Sequence, residues 1–117
     1  MGYNMIAENP PTGTAAYLWI SDGMMDDARQ VMSLLGMLTD DGPPDWPAPG
    51  TATGIAYCAL HGKSGHLAGP DGITAALKRW YAAPDHVRAD ITDQLAWWPD
   101  WIAYLERAAA CGGFRVR

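Results

Sequence analysis

The sequence predicts one α+β domain, in which a small mixed or antiparallel sheet of about five short strands is packed by three to four helices. Three observations carry that expectation. Short apolar runs bounded by proline and glycine clusters read as strands, amphipathic runs with helical spacing fall between them, and 117 residues leave room for a single core. The whole chain, residues 1–117, is therefore one domain, with a Pro/Gly-rich loop at 39–54.

Residues 2–7 and 15–20 read as two strands separated by Asn9, Pro10, Pro11, Thr12 and Gly13, which continue neither. The stretch Ala16-Tyr17-Leu18-Trp19-Ile20 is apolar on both faces, which predicts an interior strand with one side under helices. Ser21 offers an N-cap and Asp22, Asp26 and Asp27 place negative charge in the first turns, so a helix is expected over 22–35. Its apolar stripe is Met25, Ala28, Met32 and Leu35, widened by Val31 and Leu34, and Gly36 suits the left-handed position that ends it. At this spacing Met24, Met25, Met32 and Met37 read as core filler.

Four prolines and two glycines between Thr39 and Gly54 rule out regular structure there. Residues 55–61 read as a strand, returned through the Gly62–Gly65 turn by His66-Leu67-Ala68 as a hairpin. Gly69-Pro70-Asp71 opens a helix with Ile73, Leu77, Trp80 and Tyr81 on its apolar face, and Pro84 ends it. Val87, Ile91 and Leu95 recur every fourth place and predict a short helix over 85–95, with Asp90 and Asp93 toward water. A last helix starts at Trp98 or Pro99 and buries Trp98, Trp101, Ile102, Leu105 and Ala109 before Cys111-Gly112-Gly113. The alternating tail Phe114-Arg115-Val116-Arg117 reads as a final strand.

A formal charge of −5 and only two lysines, Lys63 and Lys78, argue against a nucleic-acid binder. An acidic surface suits a basic partner or simple solubility. No charged-then-apolar leader and no membrane-spanning apolar run is present, so a soluble protein of the reducing cytoplasm is expected, the host's if the chain is phage-encoded. Cys58 and Cys111 are compatible with a bridge, but free thiols are the commoner finding in that compartment.

Six tryptophans and five tyrosines against one phenylalanine is an unusual balance, because indoles and phenols carry a polar atom that needs a partner when buried. At least one indole is therefore expected at the surface as a binding anchor. The candidate binding residues are Trp46, Trp97 and Tyr57. Trp46 sits mid-loop, either tucked back as a pin or standing out as a contact. Trp97 is either a contact or packs beside Trp46.

Cys58, His61 and His66 fall within nine residues and offer ligand chemistry suited to zinc, but parity puts the first two on opposite faces of a strand. The same trio as thiol and base needs a hydrogen-bonded pair that spacing does not establish. Gly62-Lys63-Ser64 ends like a phosphate-binding loop, but Tyr57 stands where that motif needs glycine, so a hairpin turn is favoured. No catalytic set stands out and no cofactor is expected.

The succession of strand, Gly-Met-containing helix, Gly-Met-Leu, proline-rich loop, hairpin and closing Trp-Ile-Tyr-Leu helix before Gly-Gly-Phe-Arg-Val resembles unassigned small acidic proteins of actinobacteria and their phages. The resemblance covers 17–38 and 69–116 and implies no activity. The expected function is a non-enzymatic protein-binding modulator, a phage accessory or immunity-like inhibitor, that uses exposed indoles on an acidic surface. The alternative is a small-molecule or metal-binding protein, hydrolytic in one version, with a site between the 39–54 loop and the 58–66 hairpin.

Overall fold

Ser21 decides where the first strand pair ends and the first helix begins. Its extended backbone lets Oγ accept a hydrogen bond from the Met24 N–H at 3.2 Å, which satisfies one of the free donors of the first turn. The computed structural model describes residues 2–8, 17–39, 54–60 and 67–116, with backbone alone for 17, 39 and 56–58. Within these, the chain runs β1 (Gly2–Ala7), β2 (Tyr17–Ser21), α1 (Asp22–Leu34), β3 (Leu38–Thr39), β4 (Ile55–Ala56), α2 (Tyr57–Leu60), β5 (Leu67–Ala68), α3 (Pro70–Ala82), α4 (Asp85–Gln94), α5 (Trp98–Ala110) and β6 (Phe114–Val116).

The architecture is α+β, as the sequence predicts, but the strands are distributed differently. A four-stranded antiparallel sheet has the order β2-β1-β6-β5, and β3 and β4 form a separate parallel pair. The final strand slots between β1 and β5, so β2 lies at the edge rather than inside the sheet. The expected strand over 55–61 shrinks to Ile55–Ala56 and continues as the short helix α2. Leu67–Ala68 pairs with β6, so the expected hairpin between 55–61 and 66–68 is not formed. A short apolar run without clear alternation fits either state, and here its buried Ala59 and Leu60 are supplied by a helical turn.

The helix boundaries follow their local signals. The Gly36 N–H donates to the Ser33 carbonyl and the Met37 N–H to the Met32 carbonyl, closing α1 with Gly36 at φ 74°. Pro70 and Pro99 occupy first-turn positions where no amide donor is needed. The Arg29 guanidinium donates to the Leu60 carbonyl at 2.9 Å and to the Asp26 carboxylate, tying α1 to the end of α2.

One face of the sheet carries Met5, Ala7, Ile20, Ala68, Phe114 and Val116, all buried. Against it pack Met25, Ala28 and Met32 of α1 and Trp101, Tyr104, Leu105 and Ala108 of α5, with Ile73, Ala76 and Trp80 of α3 behind. Phe114 takes the rings of Trp101 and Tyr104 edge-on at 6.1 and 5.7 Å. The methionines behave as the filler expected of them, with Met25, Met32 and Met37 fully buried. Two positions of the predicted stripes face water instead: Leu34 is 87% exposed and Tyr81 52%. α4 buries no residue completely and rests on half-buried Ile91, with Leu95 at its end. No described helix is long and apolar enough to cross a membrane.

Candidate binding face

Helices cover one side of the main sheet, and the opposite side shows what is left open. Pairing of Asn4 with Trp19, Ile6 with both Tyr17 and Arg115, and Leu67 with Arg115 puts these residues on the outer face by the two-residue period of strands. Asn4 is exposed, Ile6 is 38% exposed and Trp19 is 50% exposed, while Leu67 and Arg115 are half-buried. The Arg115 Nε lies 3.1 Å from both oxygens of Glu8, so an ion pair borders the apolar patch.

Trp19 is positioned by what stands beside it. A Cβ at Gly2 would lie 2.4 Å from the indole Nε1 and Cε2 and 2.5 Å from Cζ2, so the ring occupies the space that any other residue at position 2 would fill. Gly2 is thereby buried under the ring, although it sits on the outer face. One side of the indole is held against the sheet and the other is open, which makes it a fixed aromatic platform with little rotamer freedom left to lose on contact.

Of the predicted site residues only Trp97 is described with its side chain. Trp97 lies in the turn between α4 and α5, half-buried against the core, with its ring 5.9 Å from that of Trp98. Tyr57 and Cys58 belong to α2, and their side chains lie outside the described residues; Trp46, His61 and His66 lie outside them altogether, as does most of the 39–54 loop. The helical backbone at Cys58 removes the strand parity on which the sequence reading of Cys58 and His61 rested. Among the described residues no three His, Cys, Asp or Glu side chains gather as a metal site would require. Cys111 is a free, buried thiol.

Sequence reasoning missed Trp19, placing it in an interior strand. The signal that finds it is a glycine diagonal to an aromatic across a strand pair, Gly2 and Trp19, and that becomes visible only once the register is known. Trp98 and Trp101 are fully buried, and neither indole N–H meets an acceptor among the described residues.

A second feature is a shallow groove of about 310 Å³ between α3 and α5, floored by Trp80, Trp98 and Ile102. At its rim the Tyr81 hydroxyl donates to the Glu106 carboxylate, and that bond, ahead of burial, raises the Tyr81 pKa. Its floor is closed by direct ring contact, with Trp80 and Trp98 centroids 5.4 Å apart.

In comparison with known proteins, no family model matches the chain, and no curated protein and no solved structure matches it. The geometry above therefore carries the functional reading.

Proposed function

We propose that the chain is a protein-binding modulator that docks its partner on the outer face of the β2-β1-β6-β5 sheet, with Trp19 as the anchor and Ile6 beside it. The observation that carries this reading is an indole that is 50% exposed yet fixed over Gly2. Interface hot spots are enriched in tryptophan seated at the centre of an apolar patch with a polar rim, and Asn4, Glu8 and Arg115 supply such a rim. A net charge of −5 favours a partner with a basic surround, whose association rate falls as salt rises.

The magnitude is sufficient for an anchor. An indole presents about 150–250 Å² of surface, so covering the open half removes roughly 100 Å² from water, worth about 2.5 kcal/mol at about 25 cal/mol per Å². Trp19→Ala is expected to weaken binding by roughly 50-fold, since each 1.4 kcal/mol is about tenfold.

The test places a photo-activated cross-linking residue at position 6 and, as control, at exposed position 86 on α4. A specific protein is expected to be captured from position 6 and not from 86. Excess wild-type chain competes that capture away, while folded Trp19→Ala does not. Competition by Trp19→Ala as effective as that of the wild type removes the proposal.

A further inference from the structure

We propose that a second copy of this chain pairs antiparallel along the free edge of β2, about a two-fold axis at Trp19, to give one continuous eight-stranded sheet. Among the described residues nothing pairs with the far side of β2, and its register against β1 runs without a break from Gly2 opposite Ser21 to Ile6 opposite Tyr17. Proteins blunt such edges with lysine, proline, bulges or very short strands. Tyr17-Leu18-Trp19-Ile20-Ser21 has no charged residue, no proline and no bulge, and with five residues it is longer than β5 at the other edge, which has two.

The segment is also complementary to itself. A two-fold axis at position 19 sets Trp19 opposite Trp19 of the second copy, Leu18 opposite Ile20, and Tyr17 opposite Ser21. Aromatic meets aromatic on the open face, while on the core face Ile20 is already covered within its own chain and Leu18 is half-buried, so no charge or polar group opposes the pairing there.

Charge does not oppose pairing along this strip. Two copies of a chain at −5 repel, and the approach is least opposed where the nearest acids are farthest apart. Asp22, the first acid after β2, is three residues from the axis, so the two copies of Asp22 lie roughly 20 Å apart along the strand direction at about 3.3 Å per residue. That exceeds the screening length of about 8 Å at physiological salt. A strip about 17 Å long falls short of a standard interface of roughly 800 Å² per partner, so the pairing is weak and concentration-dependent.

The experiment is sedimentation equilibrium of the full chain across concentrations characteristic of weak interfaces, about 1 μM to about 1 mM. The expected mass rises from 12.6 kDa toward twice that value. Trp19→Lys sets two like charges face to face and is expected to stay monomeric while folded. Ile6→Lys, on the docking face but one strand inward, is expected to keep the mass rise, so a failed dimer and a failed docking face are told apart.

Trp19→Cys is expected to cross-link to its own copy under mild oxidation, because directly opposed strand residues lie about 4.5–5.5 Å apart, within disulfide reach. Asn4→Cys, three strand spacings or about 14 Å from its copy, is not. Both are read against the background from Cys58 and Cys111. A mass fixed at 12.6 kDa throughout, dimerisation of Trp19→Lys, or Trp19→Cys cross-linking no faster than Asn4→Cys each overturns the proposal.

Discussion

Replacing Gly2 by alanine tests whether the Trp19 ring is held in place by the backbone beneath it. The added Cβ would sit 2.4–2.5 Å from three ring atoms, so the ring must leave its position, and as a side chain it can swing away while β1 and β2 stay paired. The half of the indole that is covered, roughly 100 Å² of about 150–250, is then returned to water at a cost of up to about 2.5 kcal/mol. Alanine recovers part of this, about 0.5–1 kcal/mol, because glycine loses the most backbone freedom on folding. The net loss is therefore about 1–2 kcal/mol, a fall in melting temperature of roughly 4–8 °C at about 4 °C per kcal/mol for a domain of this size. The assay is thermal unfolding together with fluorine NMR of 5-fluorotryptophan-labelled protein, in which Trp19→Phe assigns one resonance. That resonance is expected to move in Gly2→Ala and the other indoles to stay. An unshifted Trp19 signal with unchanged melting refutes the picture of a ring fixed over glycine.

Two other glycines predict opposite signs for the same substitution. Gly23 in α1 has open space at its Cβ, so Gly23→Ala is expected to raise stability by about 0.5–1 kcal/mol; at Gly72 in α3 a Cβ would lie 2.7 Å from the Gly54 carbonyl oxygen, so Gly72→Ala is expected to lower stability by about 1 kcal/mol or more despite its better helix propensity, and melting curves of the pair check the contrast. Burial pushes the Tyr104 hydroxyl well above the ordinary phenol range, and a folded pKa raised above the unfolded value gives stability that is complete below about pH 10 and lost as pH rises beyond it. Melting between about pH 9 and 12 is expected to fall less steeply in Tyr104→Phe than in the wild type. Leu34→Gln, at an exposed position, is expected to change stability by less than about 0.5 kcal/mol, measured by denaturant unfolding.

Much of the helical half of the fold is legible in the sequence because its signals are local. Ser21, Gly36, Pro70, Pro84 and the Trp98-Pro99 pair each act on a backbone group within one turn, and the helices begin and end beside them. The errors on the helices are angular. At about 100° per residue Leu34 lies roughly 180° around α1 from Met25, and Tyr81 lies roughly 80° from Ile73 while Trp80 lies within about 20°, so spacings of three and four stretch a stripe farther than the core reaches. Sheet order is a different matter. It depends on β6, which inserts between β5 and a β1 about a hundred residues earlier, and nothing near Tyr17–Ser21 announces that this strand will be left at the edge. The run from Ile55 to Leu60 is apolar without period, and its helical second half is set by what it packs against rather than by its own propensity.

The same long-range pairing separates the rings that fill the core from Trp19 at the sheet edge. Trp80, Trp98 and Trp101 are buried and Trp97 half-buried against the core, in a cluster that reaches Tyr104 and Phe114 on the helix-covered side. These rings fill the volume between a small sheet and the helices packed on it, where their size is the property in use. Trp19 has no such volume to fill. On an edge strand facing water, lysine would discourage pairing with another chain. An indole instead, set over a glycine that leaves it just enough room, keeps apolar surface at the most approachable margin of the molecule. The half of the ring held over Gly2 stabilises the fold, and the open half does not, so it is the open half that the proposed docking uses.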